Sequence, residues 1–143
     1  MTGLEMLALS LPFFTIMPVL IAVFIYVFAG LRNARITAVV AQTVFVALAF
    51  FLLFASREEE IITRVGGYAG YLGIILRVDT LAAVFILLTV VIFLAVFIYN
   101  LRSEYDHTGR LYWFLLFILE GVLIGLFLTR DFFNVFVLVE VST

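Results

Sequence analysis

The chain has 143 residues, of which 66% are apolar and 13% charged, and its mean hydropathy is +1.32. Soluble domains average about half apolar and about a quarter charged, so a soluble enzyme and a disordered tail are excluded. A net charge of −2 with no basic cluster also excludes a nucleic-acid binder. The solvent is a lipid bilayer, and the length holds four or five spanning helices at ~20 residues each.

Two absences narrow the chemistry. The chain has no Cys, which removes thiol chemistry, disulfides and Cys-held iron–sulfur clusters from its own repertoire. It also has no Lys, every basic residue being Arg, so an amine with a tunable proton affinity must come from another chain. His107 stands alone and cannot build a metal site. The expectation is a chain without cofactor or metal.

In chain order, Met6 to Ala29 is a first apolar run with Pro12 and Pro18 inside it. Proline removes a backbone donor and clashes one turn back, so a kink is the ordinary expectation. No basic residue precedes the run and no small-residue cleavage site closes it, which argues against a removed signal peptide. Gly30 to Arg35 reads as a turn, and Ile36 to Ala55 as a second span. Leu81 to Tyr99 is a third span, Asn100 to Arg110 a polar loop, and Leu111 to Thr129 a fourth span. Arg130 and Asp131 form a charged turn, after which Phe132 opens a fifth apolar segment. From Phe132 to Thr143 that segment reaches about 18 Å against a hydrocarbon core of ~30 Å. A terminus at that depth needs protein cover, since unpaired polar groups in lipid cost several kcal/mol. The expected partners are therefore the bilayer and other membrane subunits.

The polar stretch Ser56–Asp79 holds two β-branched or apolar runs, Ile61–Val65 and Leu72–Val78. Between them lie Gly66, Gly67, Tyr68, Ala69 and Gly70. Paired glycines between such runs signal a hairpin, because Gly reaches the positive φ of tight turns. The alternative, an interfacial amphipathic helix, conflicts with four Gly in residues 66–73. An edge strand of the hairpin could pair with a neighbouring subunit. The basic residues set orientation weakly. Arg32 and Arg35 follow the first span and nothing basic precedes it, which puts the N-terminus outside and residues 30–35 in the cytoplasm.

Two acids fall inside spans, Glu120 and Glu140. Such groups are costly in lipid, about 2.5–3.5 kcal/mol on insertion scales, and mark functional positions. Glu120 is nine residues from Leu111 and nine from Thr129. Glu140 is nine residues past Asp131, roughly 13 Å along a helix. The tight turn between them makes the two helices antiparallel neighbours, with both acids at similar depth. A carboxyl held between burial and a nearby cation can load and release a proton, whereas a permanently neutral one serves as interhelical glue. From the residues alone Glu140 fits either role, and Glu120 fits glue better. Beside Glu120, Gly121 and Gly125 form a GxxxG pattern that admits a close helix neighbour.

Residues Gly66-Gly67-Tyr68-Ala69-Gly70-Tyr71-Leu72-Gly73-Ile74 with Asp79 resemble the hairpin and following helix start of the antiporter-like membrane subunits. So does the stretch Leu128-Thr129-Arg130-Asp131-Phe132-Phe133-Asn134, leading to Glu140. The chain is similar to the N-terminal parts of the D subunits of multisubunit Mrp-type sodium/proton antiporters. The same fold recurs in respiratory complex I and in related membrane-bound hydrogenases. The resemblance implies that Glu140 is the proton-channel glutamate, paired with a Lys on a later helix. It also implies that Gly66, Gly67, Asp131 and Asn134 are structural motif residues. Three features depart from the family: the later helices and their lysines are missing, Arg130 stands where Gly is usual, and Glu120 is an additional acid.

The expected fold is an all-α polytopic membrane protein with four transmembrane helices, a truncated fifth and a small β-hairpin between helices 2 and 3. Residues 1–143 form one membrane domain. The expected function is that of a subunit of a multisubunit ion-translocating complex in a prokaryotic cytoplasmic membrane. Glu140, with Glu120 a lesser candidate, would lie on its proton pathway, and a partner chain would bring the later helices and the Lys. The competing reading is a non-conducting structural or adaptor subunit of such a complex.

Overall fold

A computed structural model describes residues 3–28, 31–57, 60–65, 74–102 and 109–142. Its elements are α1 (Gly3–Phe28), α2 (Leu31–Ala55), β1 (Ile61–Val65), β2 (Ile74–Val78), α3 (Thr80–Arg102), α4 (Arg110–Leu128) and α5 (Phe132–Ser142). The first four helices are long and apolar enough to cross a membrane, and α5 is a shorter apolar helix. Helices suit these runs because lipid offers no partner for a backbone N–H or C=O. The chain is a multi-pass membrane protein, and the expected fold class is the observed one.

The boundaries differ from the apolar runs in an instructive way. The expected turn over residues 30–35 does not hold for 31–35, because α2 already begins at Leu31 and takes in Arg32 and Arg35. At the same end of the bundle, α3 continues to Arg102. Hydropathy marks where apolar residues end, whereas a helix can run on past that point. α1 passes through Pro12 and Pro18 as one helix.

α4 is the most enclosed span. α1 and α4 form the most extensive helix pair, α2 and α3 the next, and α5 packs on α4. Two apolar clusters fill the interior. One lies toward the hairpin and contains Leu11, Phe45, Leu52, Ile86, Ile124 and Leu128. The other lies toward the opposite end and contains Ile25, Ala38, Phe93, Phe97, Trp113 and Phe117. Phe97 stacks obliquely on both Trp113 and Phe117, with ring centroids 5.4 and 4.9 Å apart. The outward faces stay apolar, as lipid or neighbouring membrane helices require.

The hairpin forms as expected, antiparallel, with Ile61 opposite Val78 and Val65 opposite Ile74. Its turn, including Gly66 and Gly67, lies outside the described residues, as do Glu58, Glu59 and His107. Ile61, Leu76 and Val78 point into the hairpin-side cluster, so the hairpin closes that end of the helical core. Glu60 and Arg77 pair across the strands.

Candidate functional site

Glu120 is fully buried on α4, at the level where the two apolar clusters meet. Its partner is Gln42 of α2, a residue that its sequence context does not single out. Gln42 is also fully buried. Its Nε2 donates to Glu120 Oε1 and, at 3.0 Å, to the carbonyl of Val90 on α3. One amide thus ties three helices together near their midpoints. Gln42 Oε1 and Glu120 Oε2 remain buried without a hydrogen-bond partner. The ion pairs Arg77–Glu60 and Arg130–Asp79 both lie at the hairpin end, and neither reaches Glu120. A polar residue mid-span at the depth of a buried acid was the available signal for Gln42.

The adjacent glycines face other helices. A Cβ at Gly121 would stand 3.1 Å from the backbone oxygen of Thr15 and 3.3 Å from Val19 Cγ2, both on α1. A Cβ at Gly125 would stand 3.1 Å from Thr15 Cγ2 and 3.4 Å from Leu138 Cδ1 on α5. The GxxxG pattern therefore admits α1 on one side and α5 on the other.

α5 is positioned by its first turn. Asp131 Oδ1 accepts from the Phe133 N–H at 3.0 Å, the ordinary capping arrangement for otherwise unpaired amides. Asn134 Nδ2 donates to Thr129 Oγ1 at 2.9 Å. The Asp131 N–H donates to the same hydroxyl at 3.3 Å. The turn is also fastened to the hairpin. The Arg130 N–H donates to the Ile75 carbonyl at 3.1 Å, and Thr129 bridges to Leu76. Arg130 Nη2 donates to Asp79 Oδ2 at 2.8 Å, while Asp79 Oδ1 accepts from the Ala82 N–H at 2.8 Å and caps α3.

This network predicts unequal effects for its two charged members. The ion pair is half-exposed, and such pairs contribute about 0.2–1 kcal/mol. Asp79 additionally caps α3, worth typically ~1 kcal/mol. Asp79→Ala is therefore expected to lower the melting temperature of the purified protein more than Arg130→Ala. Raising the salt concentration should shrink the Arg130 effect and leave most of the Asp79 effect. Equal effects at both salt levels would contradict the capping role.

Glu140 lies on α5, eight residues beyond Phe132, and is exposed, as α5 has no buried side chain. Leu138 meets Gly125, and Val141 and Ser142 line a groove with Leu119 and Val122. These contacts put Glu140 at about the depth of Glu120. The two acids differ in setting: Glu120 is enclosed with Gln42, and Glu140 stands on the open side of the bundle.

No protein-family model matches the chain. In sequence it is 31% identical over 135 residues to the D subunit of the Na(+)/H(+) antiporter of Bacillus subtilis (strain 168), covering 89% of this chain and 27% of that protein. The chain resembles an antiporter D subunit. The likeness read from its motifs is thus borne out along most of its length. In fold it matches a chain of the membrane-bound sulfane sulfur reductase, an archaeal respiratory membrane complex, with a TM-score of 0.79. That match has 22% identity and covers 95% of this chain and 28% of the other, so the likeness there is one of fold. The chain spans about a quarter of the length of the relatives it matches.

Proposed function

We propose that this chain, similar to an antiporter D subunit, works within a multisubunit ion-translocating membrane complex, either a sodium/proton antiporter or a respiratory assembly of the same fold. The sequence match to an antiporter protein supports that class. The observation that carries the mechanism is the setting of Glu140. It is an acid roughly 13 Å into an apolar helix, and it is exposed on α5. Ionisable side chains at that depth mark ion and proton pathways. Residues 1–143 contain no Lys, so a Lys that modulates this acid lies outside them.

The partner chain in this reading brings the later helices of the fold and a Lys that faces Glu140. A proton held by Glu140 moves when the charge on that Lys changes, which passes the displacement along the membrane. Glu120 is the weaker candidate for this work, because α2 and α3 close around it. The membrane is a prokaryotic cytoplasmic membrane. The N-terminus lies outside, with Arg35 and Arg110 at the cytoplasmic end and the hairpin on the outer side. The α4–α5 turn occupies part of the β2 edge, so any strand pairing with a neighbouring subunit falls to β1.

Affinity isolation of this chain from native membranes tests the assembly. The expected result is co-purification of a membrane chain carrying helices and a lysine that this one lacks. Recovery of a homo-oligomer of this chain alone would overturn the proposal. The adaptor reading makes the same assembly prediction and separates only on the Glu140 experiment.

A further inference from the structure

Gln42 and Glu120 leave an unusual remainder. Of the four polar atoms in the two planar groups, Gln42 Nε2 and Glu120 Oε1 are joined, and Gln42 Oε1 and Glu120 Oε2 are both buried and unpartnered. Both orphans are acceptors unless one carries a proton. The Gln42 orientation is fixed, because a carbonyl oxygen only accepts, so the atom 3.0 Å from Val90 O must be the amide nitrogen. Flipping the amide would put two acceptors against each other and leave the nitrogen unused.

We propose that Glu120 holds a proton on Oε2 and donates it to Gln42 Oε1, closing a cyclic acid–amide pair that clamps α2, α3 and α4 at mid-membrane. A single proton supplies the donor that both orphans lack. The last torsion of the Glu120 carboxyl is soft, so the group can turn toward the amide. Buried polar networks are stable when every member is satisfied and costly when half satisfied. The pair has two hydrogen bonds within it, and a third runs from the second amide hydrogen to Val90.

The surroundings agree with a neutral acid. The described charged or titratable side chains on the elements against α4 are Tyr26 on α1, Arg35 on α2, Arg77 on β2, Tyr99 on α3 and Glu140 on α5. On α4 itself they are Arg110 and Tyr112. All except Glu140 lie toward the ends of the bundle, and Glu140 is an acid, so none provides a cation at Glu120. The clamp is a structural role, which makes it independent of the Glu140 proposal.

Infrared difference spectroscopy on the assembled complex tests this. Subtracting the Glu120→Gln spectrum from the wild-type spectrum should leave the carbonyl stretch of one protonated carboxyl, present at neutral pH and shifted in D2O. The Gln42→Leu variant should move that band, because the acid loses its acceptor. Glu120→Gln should itself retain assembly and transport, since two amides can form the same ring. Carboxylate bands in place of the protonated stretch would overturn the proposal, as would a band unmoved by Gln42→Leu. Loss of transport in an assembled Glu120→Gln complex would also overturn it, assigning proton exchange to Glu120. Because the band is isolated by the Glu120 difference, failure of the Glu140 reading would not alter it.

Discussion

Glu140→Gln is expected to leave the complex assembled while removing most or all of its coupled ion movement. Gln keeps the size of the acid and most of the hydrogen bonding of its neutral form, but it cannot release a proton. Packing should barely change, because Gln matches Glu in size and Leu138, which meets Gly125, still seats α5 against α4. The turn that sets the depth of the helix is held by Asp131, Asn134 and Thr129, all remote from the substitution. The measurement is ion-driven pH change in inverted membrane vesicles, normalised to the amount of assembled complex. A normal rate per complex would defeat the proton-pathway reading and leave the adaptor reading standing. Glu140→Asp is the companion variant: it keeps an exchangeable proton but shortens the reach by one methylene. Partial activity there, against none for Gln, would separate proton exchange from shape.

How much of this was legible in the residues depends on which physical rule wrote them. The four spans follow from the thickness of the bilayer, so apolar runs located them to within a few residues. The errors fell where helices continue past the hydrocarbon, as at Leu31–Arg35. The hairpin was legible because few other structures place paired glycines between β-branched runs, and β1 lies where it was expected. The GxxxG pattern announced a close approach but not which helices would make it. The clamp was half legible. Glu120 stood out as a charge in an apolar run, but its partner Gln42 was one uncharged polar residue among Val, Ala and Phe, and nothing local links positions 78 residues apart. The tie between the α4–α5 turn and β2 was likewise invisible, because it joins a backbone N–H to a backbone carbonyl and leaves no mark on residue type.

Gly121→Val is expected to prevent normal packing of α1 on α4 and to abolish accumulation of folded protein in the membrane. The reason is the kind of atom the new side chain meets. A Cβ at this position would stand 3.1 Å from a backbone oxygen of α1, so relief requires moving the α1 helix rather than turning a rotamer. Val then adds two methyls toward Val19 and Pro18, which stand 3.3 and 3.5 Å from the Cβ position. Overpacking of this sort costs about 1–3 kcal/mol where the core can yield, and more where it cannot. The opposing gain from replacing Gly in a helix is at most ~1 kcal/mol, so the clash wins. Gly125→Ala provides the contrast. Its nearest neighbours are a Thr15 methyl at 3.1 Å and the tip of Leu138 at 3.4 Å. Thr15 Oγ1 has no hydrogen-bond partner, so the side chain can change rotamer without losing a bond. Gly125→Ala should therefore assemble, with a melting temperature only a few degrees from wild type. Membrane levels and thermal melts of the purified complexes measure both variants. Wild-type abundance and melting for Gly121→Val would mean that α1 does not pack on α4 at the distance found here.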